Sequence, residues 1–118
     1  PDLPIVVVGS ESWHKGIVGL VASRLVERFG RPSCVIAWEK QAGSGAQTGT
    51  GSLRSVAGVD IGAAVRGAVA AGLLQKGGGH AMAAGLTVAR ERLGSVESYF
   101  ARELADAASA ARARVGLE

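Results

Sequence analysis

Two continuous apolar runs, Ile5-Val6-Val7-Val8 and Ser33-Cys34-Val35-Ile36-Ala37-Trp38, are separated by a single helical repeat, and this constrains the fold more than any other feature of the chain. Short β-branched runs with no polar alternation predict strands buried on both faces. Between them Val18, Val21, Ala22, Leu25 and Phe29 recur at helical spacing, with Arg24, Glu27 and Arg28 on the opposite face, and Gly30-Arg31-Pro32 closes the helix. Strand, helix and strand in this order predict a right-handed crossover joining two parallel strands.

The remainder extends that start. Ala42 to Gly51 is polar and glycine-rich and reads as a loop or hairpin leading into the extended segment Gly51-Ser52-Leu53-Arg54-Ser55. Asp60 is a suitable N-cap for a helix whose face is Ile61, Ala64, Val65, Ala68 and Val69 and which runs to about Leu74. Ala84 to Val88 reads as a strand, and Leu93, Val96, Phe100, Leu104, Ala107 and Ala111 mark a long amphipathic helix. The expected fold class is therefore α/β, a mixed, largely parallel β-sheet flanked by helices. At 118 residues, 47% apolar and 19% charged, the chain has the size and balance of a single globular domain, residues 1–118.

Several chemistries are excluded by spacing. The two histidines, the one cysteine and the ten acids never recur at metal-ligand intervals, so no metal site is expected within the chain. There is no Gly-x-Ser-x-Gly elbow, and Cys34 sits inside an apolar strand, where a thiol is a small core residue rather than a nucleophile. Gly49-Thr50-Gly51-Ser52-Leu53-Arg54 begins like a dinucleotide fingerprint but carries arginine where the third glycine is required, and no P-loop ending occurs. Neither a signal peptide nor a bilayer-length apolar run is present, which predicts a cytoplasmic protein with no membrane partner.

What remains is a pair of glycine-rich segments. One carries Ser52, Arg54 and Ser55. The other, Gln75 to Gly85, presents Lys76 and His80 on either side of Gly77-Gly78-Gly79. Bare glycine amides that converge into a nest, an arginine fork and short hydroxyls are the groups that hold phosphodiester oxygens, whereas the plain structural alternative for the second segment is a flexible turn between a helix and a strand. The net charge of +3 mildly favours a polyanionic partner. Trp13 reads either as a platform for a base or as cover for the sheet, with spacing favouring the second, and His14 stays open between the two. The helix beginning near Gly16 could offer free amides to a phosphate.

The order Ser12-Trp13-His14-Lys15-Gly16-Ile17-Val18-Gly19, then Arg31-Pro32, then Gly51-Ser52-Leu53-Arg54-Ser55, then Gly78-Gly79-His80 followed by Ala83-Ala84-Gly85-Leu86-Thr87, resembles the DHH-associated domain of RecJ-type single-strand-specific exonucleases. The likeness covers nearly the whole chain. It implies a 5′→3′ exonuclease whose N-terminal DHH domain, expected before Pro1, binds two Mn2+ or Mg2+ ions and faces this domain across a cleft that holds single-stranded DNA. It further implies that Ser52, Arg54 and Ser55 hold the DNA backbone, and that Gly78, Gly79 and His80 sit against the phosphate nearest the metals. His80 is then a positioning or electrostatic residue rather than a ligand, and this domain by itself is inactive. Two other readings stand beside this one: a DHH-type phosphodiesterase acting on cyclic dinucleotides or short RNA, and a non-enzymatic module that docks a partner protein.

Overall fold

The computed structural model describes residues 4–40, 43 and 45–116, side chains excepted at 108 and 112–116. Pro1 to Leu3, and Gln41, Ala42 and Ser44 of the segment expected to form a loop, lie outside that range. Strand β1 (Val6–Ser10) leads into helix α1 (Val18–Phe29), and β2 (Ser33–Lys40) returns parallel to β1 with Val6 opposite Ser33. The crossover is the one the sequence predicts. Gly30 ends α1 at φ 64° and donates its N–H to the Val26 carbonyl at 2.8 Å, a left-handed cap that costs glycine no Cβ clash.

Strand β3 (Gln47–Arg54) is followed by α2 (Ile61–Ala70), β4 (Lys76–Gly79), β5 (Ala83–Ala89), a 3-10 turn (Arg90–Arg92) and α3 (Leu93–Gly116). The strands lie in the order β1-β2-β3-β5-β4. The expectation of a largely parallel sheet is corrected, because only β1 and β2 run parallel and the other three pairings are antiparallel. The reason is local: β2 to β3 and β4 to β5 are joined by connections too short for anything but a reversal. The second crossover, β3 through α2 to β4, does bring two strands into the same direction, but β5 inserts between them.

Other boundaries shift for identifiable reasons. Much of the expected loop before Gly51 belongs to β3, which starts at Gln47. Asp60 caps α2 as predicted, its Oδ1 accepting the Ala63 N–H at 3.0 Å, yet the helix stops at Ala70 rather than Leu74. Gly72 turns the chain at φ 79°, and the Leu73 N–H bonds back to the Ala68 carbonyl, which sends Leu74 into the core. Strand β1 is an edge strand with Val6 to Val8 half-buried, not one enclosed on both sides.

Two cores form on opposite faces of the sheet. Cys34, Ile36, Trp38, Leu53, Leu86 and Val88 face α2 and α3, where Ile61, Val65, Val96, Phe100 and Leu104 complete the main core. Full burial of each large aliphatic or aromatic side chain stabilises the fold by roughly 1.5–3 kcal/mol. On the other face Val18 and Ala22 of α1 cover Val35 and Ala37. Trp38 lies against Gly9 and Gly49, where any Cβ would overlap the indole, and Arg90 stacks on its ring at 5.0 Å while pairing with Glu11 at 3.4 Å. This second layer is the narrower one: α1 packs on β2 and β3 and makes no comparable contact with β5 or β4.

Candidate nucleic-acid interface

Residues opposite one another across an antiparallel pair point to the same face, so the register defines the uncovered surface. Arg54 stands opposite Ala83, Ser52 opposite Gly85, and Thr50 opposite Thr87. On the far side Gly85 faces Gly78 and Thr87 faces Lys76. The result is three rows across the sheet. One is headed by Arg54, the next is a nearly bare floor of Ser52, Gly85 and Gly78, and the third is Thr50, Thr87 and Lys76. A groove of about 530 Å³ runs over this surface, lined by Thr50, Ser52, Lys76, Gly85 and Thr87.

Arg54 is half-buried, two residues beyond Ser52 on β3 and so next to the groove rather than in its lining. Its Nη1 donates to the Leu53 carbonyl at 2.9 Å, while Nη2 lies where a Cβ on Gly19 of α1 would come within 2.7 Å. The glycine in the first turn of α1 is thus what admits the guanidinium beside Ser52. Among the described residues Ser52, Thr50, Thr87, Lys76 and the His80 ring form no side-chain hydrogen bond or ion pair, so the polar atoms of the first four are free to meet a ligand in the groove that they line.

The triple glycine is not the convergent nest anticipated from composition. Lys76 to Gly79 is an edge strand, and of its three glycines only Gly79 takes a positive φ, 146°. Gly77 is required for packing, since a Cβ there would meet Val65 of α2 at 2.7 Å, whereas the space above Gly78 is open. His80 is exposed at the hairpin tip that follows. Its N–H donates to the Ala83 carbonyl at 2.8 Å, and Ala83 is the strand partner of Arg54, so the tip and the arginine share one end of the sheet. Helix α2 fixes that tip: the Ile61 N–H donates to the Ala81 carbonyl at 2.9 Å and Arg66 Nη1 to the Gly79 carbonyl at 2.8 Å. Gly62 packs so closely that a Cβ would fall 2.7 Å from the His80 carbonyl oxygen.

Other sequence candidates are placed elsewhere. Ser55 is buried, and its hydroxyl donates to the Val59 carbonyl at 2.6 Å while its N–H donates to the Met82 carbonyl. It holds the β3–α2 turn rather than facing the groove. Trp13 is half-buried against the core under α1, the structural role that spacing favours. His14 uses Nδ1 to accept the Gly16 N–H at 3.0 Å and its carbonyl to accept the Ile17 N–H, so two amides expected to be free at the start of α1 are already satisfied. Cys34 is fully buried and burial, with a smaller contribution from Glu97, pushes its thiol up to about 12. The sequence reading passed over Thr50, Thr87, Gly19, Gly62 and Arg66. Only the first was legible, in the period-2 alternation of Thr48, Thr50, Ser52 and Arg54 with glycines and Leu53.

This sheet, half-covered by α1 and carrying a glycine-floored polar groove with a hairpin tip pinned at one end, has the architecture of a DHH-associated domain. The chain belongs to that family: residues 2–113 match the DHHA1 domain. Its relatives within the family are of the RecJ type. The single-stranded-DNA-specific exonuclease RecJ of Dickeya dadantii is 45% identical over 91 residues, covering 75% of this chain and 15% of that protein, and RecJ of Bacillus subtilis is 35% identical over 105 residues, 89% and 12%. Among solved structures, exonuclease RecJ bound to manganese superposes with a TM-score of 0.72 at 27% identity, over 87% of this chain and 24% of that one. RecJ in complex with Mg2+ from Thermus thermophilus gives 0.64 at 31% identity, over 86% and 15%. The chain therefore spans a small fraction of the relatives it matches.

Proposed function

We propose that this domain is the substrate-holding half of a metal-dependent 5′→3′ exonuclease acting on single-stranded DNA, gripping the sugar–phosphate backbone while a DHH domain of the same protein, N-terminal to Pro1, performs the hydrolysis. The observation that carries the reading is the Arg54–Ser52 pair set beside bare Gly85 and Gly78, an arginine fork and a hydroxyl above a floor that a backbone can approach closely. Membership of the DHHA1 family and the names of the relatives support it. No helix among the described residues is long and apolar enough to cross a membrane.

Manganese and magnesium are named with the solved relatives, but the described residues here contain no group of three or more His, Cys, Asp or Glu side chains that could hold an ion. On this reading the ions belong to the DHH domain, and the work of this domain is to bind and orient. Arg54 and Ser52 fix the strand. His80, presented by a tip that α2 holds still, lies against the phosphate being cleaved and stabilises charge that develops during attack.

Arg54→Ala and His80→Ala in the full-length protein separate these jobs. Loss of the arginine fork weakens oligothymidine binding by roughly 1 to 3 kcal/mol, the range of charge-assisted hydrogen bonds. Loss of His80 lowers turnover far more than affinity. An Arg54→Ala protein that binds every oligonucleotide like the parent overturns the proposal, and His80→Ala with unchanged turnover removes the histidine from it. A preference for dinucleotides over longer strands would favour the phosphodiesterase reading.

A further inference from the structure

We infer that the row Thr50, Thr87 and Lys76 is a second phosphate subsite, separate from the one at Arg54, and that it takes the next part of the same single strand. This rests on the reading of Arg54 and Ser52 as backbone contacts. The register places the three side chains side by side across β3, β5 and β4, on the α1 face of the sheet, the row running from β3 out over the two strands with which α1 makes no comparable contact. All three line the groove, and among the described residues none has a side-chain hydrogen bond or ion pair of its own. Two hydroxyl donors in line with an ammonium at the sheet edge form a polar set complementary to a phosphodiester, and among the described residues nothing else satisfies them.

The spacing favours a polymer. The Arg54 row and the Thr50 row are separated by four strand residues, about 13 Å at the usual antiparallel rise, with the Ser52–Gly85–Gly78 floor midway. Successive phosphates of an extended single strand fall close to the two-residue repeat of a β-strand, so a strand that starts by Arg54 and crosses obliquely from β3 toward β4 sets one phosphate by Arg54, the next over the glycine floor and a third at the row that Lys76 closes. The floor explains itself in these terms. Side chains at 78 and 85 would lift the strand off the sheet, and although the space above Gly78 is open, both positions hold glycine. A compact ligand such as a dinucleotide occupies the Arg54 end alone.

The test uses the full-length protein in the presence of a chelator, with fluorescent oligothymidines of two to twelve residues and affinity read by anisotropy. Lys76→Met and the double variant Thr50→Val/Thr87→Val keep shape while removing the donors, and Arg54→Ala serves as the reference. With oligomers long enough to cross the floor, each subsite variant should bind roughly 3- to 10-fold more weakly. Lys76→Met should also lower the slope of log affinity against log salt by about 0.7, the value for one phosphate of a single strand. Dithymidylate binding should be unchanged. Subsite variants that match the parent at every length, while Arg54→Ala weakens them all, overturn the second subsite and leave the first intact. If Arg54→Ala is also without effect, the underlying reading of the groove fails instead. Equal weakening at all lengths would place Lys76 in the first subsite and equally overturn the inference.

Discussion

Gly62→Ala tests whether the His80 tip is held by helix α2. By helix propensity alone the change should stabilise this first-turn helical position by up to about 1 kcal/mol. The structure reverses the sign. A Cβ at residue 62 would sit 2.7 Å from the His80 carbonyl oxygen, 2.8 Å from that of Gly79 and 2.9 Å from the His80 carbonyl carbon, all backbone atoms without a rotamer to escape into. Ordinary contact requires the tip and the first turn of α2 to separate by about 0.7 Å, which strains the Ile61–Ala81 and Arg66–Gly79 hydrogen bonds. Overpacking of this kind costs about 1–3 kcal/mol and a weakened hydrogen bond about 1 more, so after the propensity gain the net loss is about 1–3 kcal/mol. In a domain of this size that lowers Tm by roughly 4 to 12 °C. Gly94→Ala is the matched control, since it too is helical but its Cβ would meet nothing within 4 Å, and there the substitution should be neutral or stabilising. Thermal unfolding followed by circular dichroism on both variants decides the matter. A Gly62→Ala domain as stable as the Gly94→Ala domain would refute the clamp, and with it the account of how His80 is kept in place.

Two further outcomes follow from the same geometry. Cys34, held protonated by burial with its pKa pushed from 9.0 up to about 12, should resist alkylation in the native state and react promptly on unfolding. Because the folded pKa is raised, its contribution to stability is complete below pH 9 and declines as pH rises toward 12, at up to about 1.4 kcal/mol per pH unit; Cys34→Ala should remove that slope from alkaline denaturation, and an unchanged slope would contradict the burial argument. The isolated domain should hydrolyse neither single-stranded DNA nor nucleotide diesters with added Mn2+ or Mg2+, since the described residues provide no ligand group; metal-dependent turnover by a nuclease-free preparation would overturn the division of labour between the two domains.

What the sequence determined by itself was everything written in side-chain periodicity or capping chemistry. The crossover from β1 through α1 to β2, the Gly30 and Asp60 caps, the buried Cys34 and the stripe Val96, Phe100 and Leu104 all follow from residues a few positions apart. Such signals survive because burial on one face or a cap hydrogen bond is decided locally. The order of motifs from Ser12 to Thr87 likewise carried the family resemblance without any coordinates.

Strand direction and strand order were decided only by the tertiary structure. Lys76-Gly77-Gly78-Gly79 has no side chains to alternate, so β4 leaves no period in the sequence, and without it neither the β4–β5 hairpin nor the insertion of β5 beside β3 could be foreseen. That insertion, together with the short reversals from β2 to β3 and from β4 to β5, turned the expected mixed, largely parallel sheet into a mainly antiparallel one. It also set Thr87 opposite Thr50 and Lys76 opposite Thr87, joining residues up to 37 positions apart into one row of the groove. Whether a serine faces a ligand or its own turn was equally a tertiary matter: Ser52 and Ser55 are three residues apart in similar surroundings, and only the end of β3 after Arg54 sends the second hydroxyl inward to the Val59 carbonyl. The residue types carried the chemistry of an anion site, but the pairing of β3, β5 and β4 is long-range, and long-range pairing is what placed those residues on one open face.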